Sequence, residues 1–192
     1  MELLIGGIVL FFGAHLVPTV SDARARLVGM LGLIGYKICF SIISLIGLYM
    51  IIMGFKAASM IELWAPPYWM RPVALIFMLP VFPLIIEAYL PGQLRAKFPH
   101  PMLLAIKIWA FAHLATNGDL AAILLFGSFL LWAIYARIAS GRRDAMIGRP
   151  LVTGPVRNDW IALVAGLAIY GYFALGGGHS WLVGVPLAAV SL

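Results

Sequence analysis

The sequence predicts an all-α fold, a polytopic transmembrane bundle of about six spanning helices. Three observations lead there. Of the 192 residues, 64% are hydrophobic and 10% charged, with a mean hydropathy of +1.04. That leaves too little polar surface for a soluble domain to cover its core. The apolar residues gather into long runs, near the ~20 residues that one crossing takes. The basic residues sit mainly in the loops between those runs.

The first run, 3–20, lies in "MELLIGGIVLFFGAHLVPTV". It starts with Glu2 rather than a basic stretch and has no small-residue cleavage site, so it reads as a retained spanning helix. The second run is 36–55. The third, 71–90, carries Pro80 and Pro83, which should kink it and leave the carbonyls of Ile76 and Leu79 without helix donors. The fourth, 101–117, is short and has room to extend into Phe98 and Pro99. A tight "NGD" hairpin separates it from the fifth, 119–138. There Gly118 is expected to end one helix in the left-handed conformation and Asp119 to cap the next. The sixth run is 159–176. The tail, 179–192, contains Pro186 and is too short for a clear further span. Trp64, Tyr68 and Trp69 suit an outer interfacial belt.

Counting Lys and Arg orients the bundle. With the N-terminus outside, inner loops hold Arg24, Arg26, Lys37, Arg95, Lys97, Arg137, Arg142, Arg143, Arg149 and Arg157, while the outside keeps Lys56 and Arg71. The tail and His179 then lie outside. The net charge of +6 and pI near 9.8 accordingly point to topology beside anionic lipid, not to nucleic acid. The single cysteine, Cys39, excludes an intramolecular disulfide and a Cys-rich metal site. The longest loop, 138–158, is too short for a soluble catalytic domain. Any chemistry belongs among the helices or at their ends.

Four ionisable side chains fall inside the runs: His15, Glu87, Lys107 and His113. Such residues are costly in lipid and face the bundle interior. Glu87 and Lys107 are expected to pair, or Lys107 to snorkel to the interface. His15 and His113 have small neighbours, Gly13, Ala14, Ala110 and Ala112, which allow close helix packing and also leave room for a flat cofactor. Two readings stay open. The imidazoles are hydrogen-bonding residues between helices, or they are two ligands of one haem iron. A zinc site would want three or four ligands, and His100 and His179 lie at opposite membrane faces. Asn117, four residues after His113, shares its helix face.

Longer stretches carry a resemblance. "GAHLVP", "ARLVGMLGLIGYKICFSIISLIGL", "PHPMLLAIKIWAFAHLATNGDLAAILLFGSFLLWA" and "GRP" resemble NnrU-type proteins, a bacterial membrane group linked to nitrite and nitric oxide reduction. The likeness covers essentially the whole length. It implies a single transmembrane domain over 1–192 in a bacterial inner (cytoplasmic) membrane, with nitrogen-oxide respiratory components as partners. The group is also similar to 15-cis-zeta-carotene isomerase, a membrane enzyme with haem b held by two histidines. Through that similarity His15 and His113 are implied as axial ligands, with Asn117 orienting the imidazole or a bound ligand. The isomerase's cysteine three residues before the second histidine is Ala110 here.

Four functions follow as alternatives. The first is a b-type haem protein acting in or supporting denitrification. The second is an isomerase acting on an apolar polyene. The third is a membrane methyltransferase using S-adenosylmethionine, suggested by Pro99-His100-Pro101. The fourth is a scaffold without chemistry. The haem pairing carries a condition of depth. At 1.5 Å per residue, His15 lies ~8 Å from the inner end of its run and His113 ~18 Å into its own.

Overall fold

The computed structural model describes residues 1–148, 150 and 152–184. Arg149 and most of the tail, including Pro186, lie outside the described residues. The chain is helical in the order α1 (Glu2–Leu16), a 3-10 turn (Val17–Thr19), α2 (Ser21–Lys56), α3 (Met70–Met78), α4 (Val81–Tyr89), α5 (Leu94–Lys97), α6 (Pro101–Thr116), α7 (Leu120–Met146), α8 (Val156–Leu175) and α9 (Gly178–Val183). Five of the described segments are long and apolar enough to cross a membrane, with α3 and α4 counting as one; α6 is a shorter apolar helix. Large apolar side chains such as Val9, Ile34, Leu45 and Leu131 point outward, as lipid contact requires.

Several boundaries differ from the sequence reading: α7 runs on to Met146, past the expected end at 138 and into the 138–158 loop, and α8 starts at Val156 rather than 159. The second helix starts at Ser21 rather than near 36, and runs through a non-helical residue, Gly32, with φ 70°. The fourth span does not extend into Phe98 and Pro99. His100 adopts a left-handed conformation, φ 61°, which severs α5 from α6, and Pro101 opens the new helix at a position where no backbone donor is needed.

Glycines set how closely the helices approach. A Cβ on Gly47 would lie 2.9 Å from the Phe11 nitrogen, and one on Gly54 would lie 2.4 Å from the Leu4 nitrogen. The α1–α2 hairpin therefore packs backbone against backbone, the small-residue mode of membrane helices. Helix α6 packs on α7 and on both α3 and α4, and α4 packs on α8. The core gathers Leu4, Ile51, Ala110, Ala122, Leu125 and Phe126 from α1, α2, α6 and α7.

The Asn117–Asp119 turn works differently from expectation. Asp119 caps α7 as predicted, its carboxylate accepting from the Ala122 amide at 2.9 Å. Gly118 is not left-handed. Its carbonyl accepts from the amides of Leu63 and Trp64, while the Leu120 amide donates to the Ile61 carbonyl. A Cβ on Gly118 would meet the Trp64 carbonyl oxygen at 1.7 Å. The residue is glycine because another backbone lies against it.

The third span breaks between α3 and α4 at Leu79 and Pro80, as the prolines predict. The deficit moves by one carbonyl. The Leu79 amide donates to Ile76 at 3.2 Å, so Ile76 keeps a partner. The Leu75 carbonyl, which an unbroken helix would pair with Leu79, accepts from the Tyr170 hydroxyl of α8 at 2.9 Å. One helical turn earlier, Gly166 admits Pro83, whose nitrogen would lie 2.4 Å from a Cβ there. Gly166 and Tyr170 lie four residues apart on one face and bracket the break. Tyr170→Phe keeps the ring but strands the carbonyl, and should lower stability by about 1–3 kcal/mol. The measurement is a thermal or denaturant midpoint of the purified protein in detergent, and an unchanged midpoint counts against this role.

Candidate functional site at the end of the sixth helix

Helix α6 carries its histidines at opposite ends. His100 precedes its first turn, and its Nε2 lies 2.9 Å from the Asp144 carboxylate near the end of α7. The backbone turn at 100 and this contact tie the start of α6 to α7. Burial pushes His100 below its ordinary value of 6.5, opposed by Asp144 and aided by Arg137 and Arg143.

His113 lies one turn before the other end. Its Nδ1 is 2.8 Å from the Trp109 carbonyl. A neutral imidazole that donates Nδ1–H to a carbonyl keeps Nε2 as its acceptor or metal-binding atom. Phe126 stacks on the ring at 4.5 Å between centroids, and Trp109 tilts against it at 5.3 Å. On another side is His179, from the short helix α9. Its ring centroid is 6.3 Å from that of His113 and the planes differ by 19°.

His15 repeats the same local device. Its Nδ1 is 2.7 Å from the Phe11 carbonyl one turn back. Its ring stacks on Phe11 at 4.0 Å and touches Phe40 of α2 and Trp132 of α7. His15 thus touches α2 and α7 through ring contacts, while its hydrogen bond stays within α1 rather than running between helices.

Among the described residues, no ring contact joins His15 directly to His113. The ring path between them runs from Phe11 to Phe129 at 5.5 Å, from Phe129 to Trp109 at 5.3 Å, and on to His113. Their contacts on α7 are Trp132 and Phe126, six residues apart, or ~9 Å along the axis. This is the depth mismatch already implicit in the two helix positions.

Asn117 also acts elsewhere than expected. Its amide nitrogen donates to the His113 carbonyl at 2.8 Å and to the Thr116 hydroxyl. It finishes α6, while the Trp109 carbonyl orients the imidazole. Glu87 does not pair with Lys107. It is 2% exposed and accepts from the Gly92 amide at 2.6 Å, closing the turn after α4. Its second oxygen is buried with no hydrogen-bond partner among the described residues.

Sequence reasoning weighed His179 only as a zinc candidate and passed over Tyr170. A signal for His179 existed: the charge topology puts it outside, and His113 is only four residues from the outer end of its run. Tyr170 had no signal, because which carbonyl the break would strand is set by packing.

A family model described as NnrU protein matches residues 3–187, a stretch that includes all four histidines. No curated protein and no solved structure matches.

The low affinity of His100 for a proton has a consequence for stability. As pH falls below 6.5, the unfolded chain takes up the proton before the folded one. The contribution of this residue is therefore complete above 6.5 and declines with pH below it. His100→Asn tolerates the left-handed backbone and removes the titration. It should flatten the acid limb of thermal stability between about pH 7 and 5; an unaltered limb would assign the slope to other groups.

Proposed function

Because the chain belongs to the NnrU family, we propose that it is an integral-membrane haem-b protein that supports nitrite and nitric oxide metabolism. The observation that carries this reading is His113. Its ring is fixed from behind by the Trp109 carbonyl at 2.8 Å, walled by Trp109 and Phe126, and left with Nε2 as the nitrogen free to bind iron. That is the state in which a neutral histidine ligates a metal. The Ala110 and Ala112 side chains are buried in packing, so the residue is held on a rigid helix. When bound, haem supplies a one-electron couple, and coordination by two imidazoles suits electron transfer better than capture of a gas. His113 would hold the group, Asn117 closes the end of its helix, and the aromatic wall excludes water.

The location we propose is a bacterial inner membrane, with the His113 end of the bundle outside and the Arg142–Arg143 end of α7 inside. The ten-to-two division of Lys and Arg supports it. A cysteine placed at Ser140 should then resist impermeant thiol reagents from the periplasm, and labelling there would reverse the topology.

A second reading, isomerisation of a polyene, has one observation in its favour. An apolar groove of about 550 Å³ runs between α1 and α7, lined by Ile8, Phe12, Gly13, Leu131, Trp132 and Tyr135. Carotenoid conversion in cells making the poly-cis substrate separates this from the respiratory role.

The purified protein should show a Soret band. His113→Ala should abolish it, whereas Asp119→Asn, which touches only the α7 cap, should leave it intact. A colourless wild-type protein after haemin loading rules the reading out.

A further inference from the structure

We propose that the arginine end of α7 is a binding site for the phosphate of an anionic phospholipid, with the guanidiniums of Arg137 and Arg143 as its donors. The site lies at the far end of α6 from His113 and does not depend on the haem reading.

The two side chains reach one level of the helix from opposite directions. Arg137 extends toward the helix end: a Cβ on Gly141, one turn further on, would lie 2.9 Å from a guanidinium nitrogen of Arg137. Glycine there lets the guanidinium lie against the helix surface. Arg143 reaches back, its guanidinium donating to the Ser140 hydroxyl at 3.4 Å. Both charges therefore gather beside residues 140 and 141. Counted from Leu120, where α7 begins, that level is ~30 Å along the helix at 1.5 Å per residue. A hydrocarbon core is about 30 Å thick, so the guanidiniums stand where the headgroup layer starts.

The charges at this level call for an anion. Asp144, next to Arg143 in sequence, is engaged by His100, whose Nε2 lies 2.9 Å from its carboxylate. Among the described residues neither Arg137 nor Arg143 forms an ion pair with a carboxylate. Both guanidiniums nonetheless act on the His100 ring, each disfavouring its proton, so two cations stand near the same imidazole. Like charges gathered at the edge of hydrocarbon repel each other, and screening there is weaker than in bulk water. A phosphate relieves this, because each guanidinium offers forked donors that match phosphate oxygens. Arg142 is exposed beside them and adds a third positive charge, which favours a lipid of net negative charge over a zwitterionic one. Ile138, 50% exposed, and Met146, 80% exposed, give the rest of the lipid an apolar surface at the same end.

The test titrates the full-length protein, purified in detergent, with phosphatidylglycerol, with phosphatidylcholine of the same chains, and with inorganic phosphate. Bound molecules are counted by native mass spectrometry. Phosphatidylglycerol should bind saturably and more tightly than phosphatidylcholine. Arg137→Gln and Arg143→Gln should each weaken it by about fivefold. Arg71→Gln, at the opposite end of the bundle where Met70 adjoins Ala115, should leave it unchanged. Arg137→Lys and Arg143→Lys keep the charge and cover the case in which the glutamine variants fail to fold. They should still weaken binding, because lysine lacks the fork. Equal affinity for the two lipids, wild-type binding in the glutamine or the lysine pair, or an equal loss in Arg71→Gln overturns the assignment. Displacement of phosphatidylglycerol by inorganic phosphate assigns the site to the free ion and overturns the lipid. A protein that takes up no haem leaves each of these outcomes as informative as before.

Discussion

A backbone amide or carbonyl in hydrocarbon has no water to bond, so the protein must supply every partner. Most polar residues in the apolar runs of this chain answer that demand. The Tyr170 hydroxyl takes the carbonyl that the Pro80 break strands on Leu75. Glu87 takes the Gly92 amide in the turn after α4. Asn117 takes the His113 carbonyl at the end of α6, and Asp119 takes the Ala122 amide at the start of α7. Each closes a backbone group at a helix end, turn or break, and the Tyr170 bond also ties α8 to α3. The helix positions rest on these closures together with the glycine contacts of α1 with α2 and of α4 with α8.

The histidines obey the same rule with one nitrogen and escape it with the other. In both His15 and His113, Nδ1 bonds the carbonyl one turn back. Residues so alike in local setting diverge because of what packs outside them. His15 meets Phe11, Phe40 and Trp132 and is closed in by three helices. His113 meets Phe126 and Trp109 on one side and a second imidazole on another. The two rings share a local device and differ in their neighbours, aromatic rings alone for His15 and an added imidazole for His113.

The two ends of the bundle differ in character. At the end where α6 finishes, the 61–64 strand of backbone zips onto the Gly118 turn, and α9 brings His179 beside His113. At the other end, His100 and Asp144 tie α6 to α7 among a run of arginines. The first end is aromatic, with Trp109, Phe126 and two imidazoles in contact. The second is charged, suited to the surface of an anionic leaflet.

Composition and the spacing of apolar runs determined the class of fold, the approximate spans, the proline break and the Asp119 cap. These depend on local chemistry: transfer of side chains into lipid, the missing proline donor, and a carboxylate beside free amides. The family followed from residue patterns over the whole chain. The candidate site was half legible. His113 stood out as a histidine in a span, but the rings it meets did not, because helix depth and rotation decide which rings meet. His15 and His113 were paired on their small neighbours and on the family resemblance, and their ring contacts on α7, Trp132 and Phe126, lie six residues apart. Glu87 was given to Lys107 by charge, yet the nearer Gly92 amide claimed it. Gly118 was assigned a left-handed turn, and a neighbouring backbone was the true constraint. Those outcomes belong to tertiary structure alone, because partner choice inside a membrane is settled by which groups the packed helices bring within a few ångströms.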